Sequence, residues 1–587
     1  MKKIILLFCI GVMFGCQNKK DSNKEEKVAN KVGQGNRVYG GIFKLNESEY
    51  IKNLFPHNII DAYSYRIASQ IYEGLFKFDQ DSLQVIKSLA SDYSIDNSKT
   101  VYTIHLKRGV FFHDNECFAD GKGRELKAED IKYCFTKLCT QYAGNQGAHV
   151  FLNVIKGANQ YYEKTKNGGK PTEELEGIKV IDEYTIQITL ETPNSLFLAK
   201  LCRPETLIFP KEAFEKYGED MRVNCVGTGA FKLAKEDIDD NVSIILKRNE
   251  KYHGVDQFGN TLPFLDAIKI SFIKDKQIEL LEFKQGNLDM MYRLPADQIF
   301  ELLQETTEDI DGGQGKYLLQ REPEMQTQIL SFMNMGEVFK NVNLRKAFSY
   351  AIDREKILNY VLNKEGFKAG INGITPPSFP NYDINKISGY SFKPDSARYF
   401  LNKAGFPNGK NFPKVVLDLN PEGSRNTNVA NEIKKQLKEI LNVDIELNQA
   451  PHAQITEKCL TGSFNVIRLS WIADFPNPEA FLMMFNGKDV PSKMDSVSYP
   501  NISRYKNPKF DELFNKAIQA GSQEESMAYF MKAEQLVMSE APIIVLWYDE
   551  GYRLLQMKVK NFLSNPMQYR DFSQVFFRLD EQPQEQQ

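Results

Sequence analysis

The stretch from Lys414 to Leu447 changes its hydrophobic period twice, and that alternation constrains the fold more than any other feature of the chain. KVVLDLN alternates apolar and polar residues as a half-buried strand does. NEIKKQLKEIL then places Ile433, Leu437, Ile440 and Leu441 on one helical face, and VDIEL alternates again. A strand, a helix and a strand in close succession cannot close as a hairpin. The two strands must lie parallel, with the helix as a right-handed crossover. The chain therefore contains an α/β sheet, and sheets of that kind hold ligands in crevices between elements or domains.

The rest of the chain mixes the same two periods. YTIHL (Tyr102 to Leu106), YTIQITL (Tyr184 to Leu190) and VSIIL (Val242 to Leu246) read as strands. In NVNLRKAFSYAIDREKIL, residues Leu344, Ala347, Phe348, Ala351 and Ile352 share a helical face. Asp353 reads as the N-cap of a following helix that carries Ile357, Leu358 and Val361. KPDSARYFLNKAGF starts a helix at Pro394 and stops it at Gly405. Further helices are predicted from Asp511 through Ala517 and from Glu525 to Met538. No internal repeat is visible.

At 587 residues the chain exceeds what one core can organise, so about two to four domains are expected. Charged residues make up 26% and the net charge is −3, which gives no basic face for nucleic acid. Aromatic residues reach 12%, with 27 Tyr and 40 Phe against 2 Trp. Most such rings belong in cores, and Tyr in these numbers also suits a lined cleft.

The start, MKKIILLFCIGVMFGCQNKK, has two lysines, an apolar stretch from Ile4 to Phe14 and then Gly15-Cys16. This is the pattern of a secretory signal, too short to span a bilayer permanently. Residues 17–37 hold no aromatic side chain and are dominated by Lys, Glu, Asn, Asp and Gln, so a flexible tether is expected there. Residues 580–587 are expected to be a disordered tail. Cys9 belongs to the signal, leaving Cys16, Cys117, Cys134, Cys139, Cys202, Cys225 and Cys459. The last six allow three disulfides, and the sequence does not choose among the pairings. No C-x-x-C occurs and the histidines are scattered, so no metal site is predicted. There is no H-E-x-x-H, no G-x-S-x-G and no Walker-type loop, so an enzyme is not the expectation.

One short run raises a chemical question. In SWIADFPNPEAF, Asp474 lies among Trp471, Ile472, Ala473 and Phe475. An ionised carboxylate in apolar company is costly unless a cation or a hydrogen-bond donor meets it. That partner is either internal or a ligand. A third alternative is structural. The run DFPNPE also reads as the start of a helix, with Asn477 as N-cap and Pro478 in the first turn, so Asp474 could cap a turn.

Several strings together resemble one family. They are SQIYEGLFKFD, YTIHLKRGVFFHDNECFADGKGRELKAEDIKYCF, GTGAFKL, VNLRKAFSYAIDREKIL, ADFPNP, YKNPKFDELFNKA and APIIVLWY, in that order from about Tyr39 to Tyr552. They resemble the peptide-type solute-binding proteins of bacterial ABC importers, family 5. Asn115 stands where the family's turn has glycine. Gly15-Cys16 likewise resembles a lipobox, which makes Cys16 the lipid-bearing residue, although Met13 and Phe14 depart from the usual pattern.

The resemblance implies an α/β type II periplasmic-binding-protein fold in its large three-domain form, with two lobes and a hinge. Domain I would comprise 38–82, 201–325 and 541–579, domain II would be 83–200, and domain III would be 326–540, after a signal over 1–16. It further implies a monomer, exported and lipid-anchored at the membrane, that uses no cofactor and hands a peptide ligand to the permease subunits of an ABC transporter. Asp474 is implied to pair with the ligand's α-ammonium, with the main chain of Ile472 and Ser470 running beside the ligand. Arg468 is implied to meet a C-terminal carboxylate, the alternative being a solvated strand residue. Trp471 would pack at the hinge or line a side-chain pocket, and Asp61 and Ala62 would lie on the ligand's other side. Relatives of this architecture also take oligosaccharides or metal chelates, or serve as peptide sensors, and those alternatives stand beside the peptide reading. A remote alternative is an exported hydrolase.

Overall fold

A computed structural model describes residues 31–578 apart from Lys52, 296–297, 309–314, Pro380, 422–423, 494–495 and Gly521. The expected signal, Cys16, most of the expected tether and the expected tail lie outside the described residues. The end of that tether is held: Asn260 Oδ1 accepts from Gln34 N at 2.8 Å, Asn260 Nδ2 donates back to Gln34 O at 2.9 Å, and Arg37 lies over Phe576. Residues 31–37 are therefore packed against the body, which corrects the expectation of a leash running to Arg37. Asn260 satisfies both main-chain groups of Gln34, and Gly33 N donates to Arg37 O within the segment, while most of its side chains stay exposed.

In chain order, β1 (Ile42–Asn46) is followed by α1 (Ala62–Ile71). Next come β2 (Ala90–Ile95), β3 (Val101–Leu106), α2 (Ala128–Leu138), β4 (Ile178–Asp182) and β5 (Thr185–Thr189). A short helix, α3 (Phe197–Lys200), precedes β6 (Phe231–Lys232), β7 (Ser243–Arg248) and β8 (Ala267–Ser271). Then follow β9 (Met290–Tyr292), β10 (Tyr317–Phe332), β11 (Val416–Leu419), α4 (Arg425–Leu441) and β12 (Glu446–Gln449). Last are β13 (Val466–Ile472), α5 (Glu479–Leu482) and β14 (Ile543–Gln556).

These strands form three main sheets. One runs β1-β8-β7-β6, with β1 parallel to β8 and the remainder antiparallel. A second, β2-β3-β5-β4, is wholly antiparallel and is backed by α2, whose Ile131, Cys134, Phe135 and Leu138 are buried. The third runs β9-β14-β10-β13-β11-β12. Within it β11 is parallel to both β12 and β13, so the period change read from Lys414 onward is a parallel crossover. The crossover helix α4 begins at Arg425, earlier than its apolar stripe suggested, and buries Val429, Ala430, Ile433, Leu437 and Leu441. Truncating one of these, such as Leu437→Ala, would cost about 2–5 kcal/mol.

The strands β10 and β14 tie the molecule together. At one end their Leu330, Phe332, Ile544 and Leu546 enter the core beneath α4. At the other end Tyr317, Leu319, Tyr552 and Leu554 pack with the residues around β9. Their mutual register is interrupted between Pro323 and Thr327. Two strands that pass from one core into another, with a break in the ladder between them, are the natural place for a hinge. The six cysteines whose pairing was left open are all free thiols, five of them buried.

Candidate functional site

A cavity of about 250 Å³ opens beside that break. One wall comes from the N-terminal end of α1, from Arg203 to Glu205, and from the Met567–Arg570 segment after β14. The opposite wall is β13 with its continuation to Asp474, together with His452 and Tyr499. Every side-chain candidate read from the sequence lies on this lining: Asp61, Ala62, Arg468, Ser470, Trp471, Ile472 and Asp474.

The local geometry of β13 explains why its edge is exposed to the cavity. Gln326 pairs with Ile472 and Gln328 with Ser470 across β10. Met333 N donates to Asn465 O at 3.1 Å, and Ala473 N donates to Met325 O at 2.9 Å. In an antiparallel ladder hydrogen-bonded and non-bonded pairs alternate, so odd-numbered residues of β13 bond β10. Ser470 and Ile472 therefore turn their N–H and C=O groups to the other edge. On that edge β11 pairs with Val466 and Ile467, and among the described residues no strand pairs with it farther along. The unpaired edge lies where Ser470 and Ile472 line the cavity.

Asp474 lies at the end of this edge. Its Oδ2 is 3.1 Å from Arg203 Nη1, and 25% of its side chain is exposed. No backbone amide is bonded to it among the described residues, so the turn-cap alternative does not hold. The helix start is served by Asn477, whose Oδ1 accepts from Glu479 N at 2.9 Å. Arg203 is itself almost fully buried and gives most of its fork to Glu205, with Nη2–Oε1 at 2.7 Å and Nε–Oε2 at 3.1 Å. Burial raises the Asp474 carboxyl; Arg203 opposes the rise and Glu205 adds to it, and the balance lies at about 6. Burial would raise Glu205 as well, but its guanidinium partner more than offsets this and holds it below the ordinary range. Two carboxylates thus share one guanidinium, and their sum is −1 when both are ionised. A cation arriving at Asp474 would neutralise the group.

The remaining candidates divide by role. Asp61 touches the cavity, but its carboxylate is the N-cap of α1, accepting from Ser64 N at 2.8 Å and Ser64 Oγ at 2.9 Å. Ala62 begins α1 and presents a methyl group. Trp471 Nε1 donates to Ala480 O at 2.7 Å and its ring lies 6.3 Å from that of Tyr499, so the indole is locked as wall. Arg468 is 5% exposed and donates to Gln328 Oε1, so it is no solvated strand residue. Ser470 Oγ accepts from Gln326 Nε2, whose Oε1 accepts from Gln568 Nε2 at 2.9 Å.

Sequence reasoning missed Arg203, Glu205, Gln326, Gln568 and Arg570. For the first two the signal that singled out Asp474 was present: LAKLCRPETLIFP also places charges among residues that avoid water. The glutamines carry no such signal. A second ion pair, Lys200 with Glu479, joins α3 to α5 beside the first. Among the described residues no group of three or more His, Cys, Asp or Glu side chains is arranged to hold a metal ion.

Comparison with known proteins adds the following. A family described as bacterial extracellular solute-binding proteins, family 5 Middle, matches residues 84–492. Over 593 residues the chain is 25% identical to the dipeptide-binding protein DppE of Bacillus subtilis, covering 97% of this chain and 99% of that protein. Heme-binding protein A of Haemophilus influenzae is 24% identical over 573 residues, 96% of each chain. Among solved structures, the periplasmic oligopeptide-binding protein OppAIV of Borrelia burgdorferi aligns with a TM-score of 0.78 at 26% identity, covering 91% of this chain and 99% of that one. Helicobacter pylori DppA in complex with the peptide STSA aligns with a TM-score of 0.79 at 22% identity, covering 92% and 98%.

Proposed function

The chain belongs to the bacterial extracellular solute-binding proteins of family 5, with their large, hinged α/β type II binding-protein fold, and from that premise we propose that it captures short peptides for an ABC importer. The observation that carries this reading is the open edge of β13, ended by Asp474. An extended peptide laid along Ser470 and Ile472 adds a strand, and main-chain bonds give affinity without reading side chains. Its α-ammonium meets Asp474, fixing register and polarity through a charge-assisted bond. Its C-terminal carboxylate meets Arg468 farther along the same strand. The relatives named for dipeptides and oligopeptides, and the neighbour that holds STSA, support this assignment.

In this reading domain I is 38–82, 201–325 and 541–579, domain II is 83–200 and domain III is 326–540. The ligand touches domain I and domain III together only when the cleft is closed, so its differential affinity favours closure about β10 and β14. A monomer tethered through a lipid on Cys16 then presents the closed form to the permease, returning its cargo unchanged.

Calorimetry with Ala-Ala-Ala and its N-acetyl derivative tests the assignment. Binding of the free tripeptide, weakened at least tenfold by acetylation, is the expected result. Equal affinity of the two forms would remove Asp474 from the role given to it.

A further inference from the structure

The wall that faces β13 across the cavity holds an ion pair with one cation too many. Glu47 takes Arg66 in a two-pronged contact, Nη2–Oε2 at 2.7 Å and Nε–Oε1 at 3.0 Å. The same Oε1 also accepts from Arg570 Nη1 at 2.7 Å. One carboxylate therefore serves two guanidiniums. Arg66 has a further acceptor, Gln568 Oε1 at 3.2 Å. Arg570 has none: it is buried to 2% exposure, lines the cavity, and its Nε and Nη2 lack a hydrogen-bond partner. Burial lowers the Arg570 guanidinium to about 9; Glu47 opposes the shift and Arg66 and Arg553 add to it. A buried guanidinium with two unused donors is costly in an empty site and becomes favourable when an anion fills it.

That wall shares one cavity with the open edge of β13. A peptide on the edge of β13 lies about 4.8 Å from that strand. Ser470, Gln326, Gln568 and Arg66 form a hydrogen-bonded row that ties β13 to the opposite wall by way of β10, leaving the other edge of β13 open. A side chain projecting from the bound peptide into this cavity has Arg66 and Arg570 on its lining, whereas the C-terminal carboxylate stays beside Arg468 on the strand itself.

We propose that Arg570, positioned by Glu47 and Arg66, is a subsite for a second carboxylate, so that the preferred cargo is a short peptide carrying a glutamate or aspartate side chain. The inference rests on the peptide reading given above, and the test separates the two. Isothermal titration of the full protein uses Ala-Ala-Ala, Ala-Glu-Ala, Ala-Ala-Glu and the two glutamine counterparts. At least one glutamate peptide should bind tenfold or more tighter than its glutamine twin. In Arg570→Met that ratio should fall to within about twofold, while affinity for Ala-Ala-Ala changes little. Arg570→Lys, which keeps a cation against Glu47, should retain part of the preference and guards against a folding defect in the methionine variant. Equal affinities for the glutamate and glutamine twins in the wild type would overturn the subsite and leave peptide capture standing. So would an Arg570→Met protein that loses all the peptides alike, since Arg570 would then be reading the main-chain carboxylate. Failure of every tripeptide to bind would overturn both readings.

Discussion

Replacing Asp474 by asparagine should make the empty protein more stable and the peptide complex weaker. In the folded protein the carboxyl lies at about 6 against an ordinary 3.8, because burial and Glu205 together outweigh Arg203. That difference corresponds to about 3 kcal/mol in favour of the protonated form. Since a quarter of the side chain meets the cavity, about 1–3 kcal/mol is the reasonable range. The sign follows from the direction of the shift. A carboxyl raised in the folded state is fully accommodated below about pH 4 and becomes a burden as pH climbs through about 6. A neutral amide in its place carries no such burden, so the Asp474→Asn variant should gain stability at pH 8, and the gain should vanish near pH 4. Chemical denaturation at both pH values, read as the shift in midpoint, measures this. In parallel, loss of the ammonium partner should weaken a tripeptide by about 2–5 kcal/mol at pH 8. A variant that is destabilised at pH 8, or stabilised equally at both pH values, would refute the reasoning about Asp474, Arg203 and Glu205.

Other outcomes follow from the same geometry. Peptide affinity should fall by about tenfold per pH unit as the medium is taken below about pH 6, because protonated Asp474 no longer pairs with an ammonium; titrations in a buffer series check this. Arg468→Gln should weaken Ala-Ala-Ala by about 2–5 kcal/mol yet leave its C-terminal amide almost unaffected, which calorimetry on the two ligands would show. Cys16→Ser should move the protein from the membrane pellet to the soluble fraction on cell fractionation. Small-angle scattering should show compaction when a bound tripeptide closes the cleft.

Much of the fold was legible because its elements are amphipathic. The stripe of Ile433, Leu437 and Leu441 faces one core, whereas the strand before it, lying between two neighbours, buries Leu417, Asp418 and Leu419 in succession rather than alternating as a half-buried strand. The signal of Asp474 was legible for a related reason, as a charge in apolar company has to be answered somewhere. The answer itself was not. Arg203 comes from the opposite wall, after α3, and nothing local ties the two segments together. Nor does periodicity reveal that β10 bonds the odd-numbered residues of β13, although that parity decides which main-chain groups remain open. Asp61 shows the opposite limit. It lines the cavity, yet its carboxylate is engaged in capping α1, a local demand satisfied before any ligand arrives. Composition also gives no sign of the distant Asn260 side chain that bonds both main-chain groups of Gln34 at the end of the expected tether.

The most direct measurement is a crystal structure of the protein grown with Ala-Ala-Ala. The expected result is an extended ligand whose amino nitrogen lies about 3 Å from an Asp474 oxygen and whose main chain exchanges hydrogen bonds with Ser470 and Ile472. A tripeptide bound in the reverse direction, or held without touching the edge of β13, would contradict it.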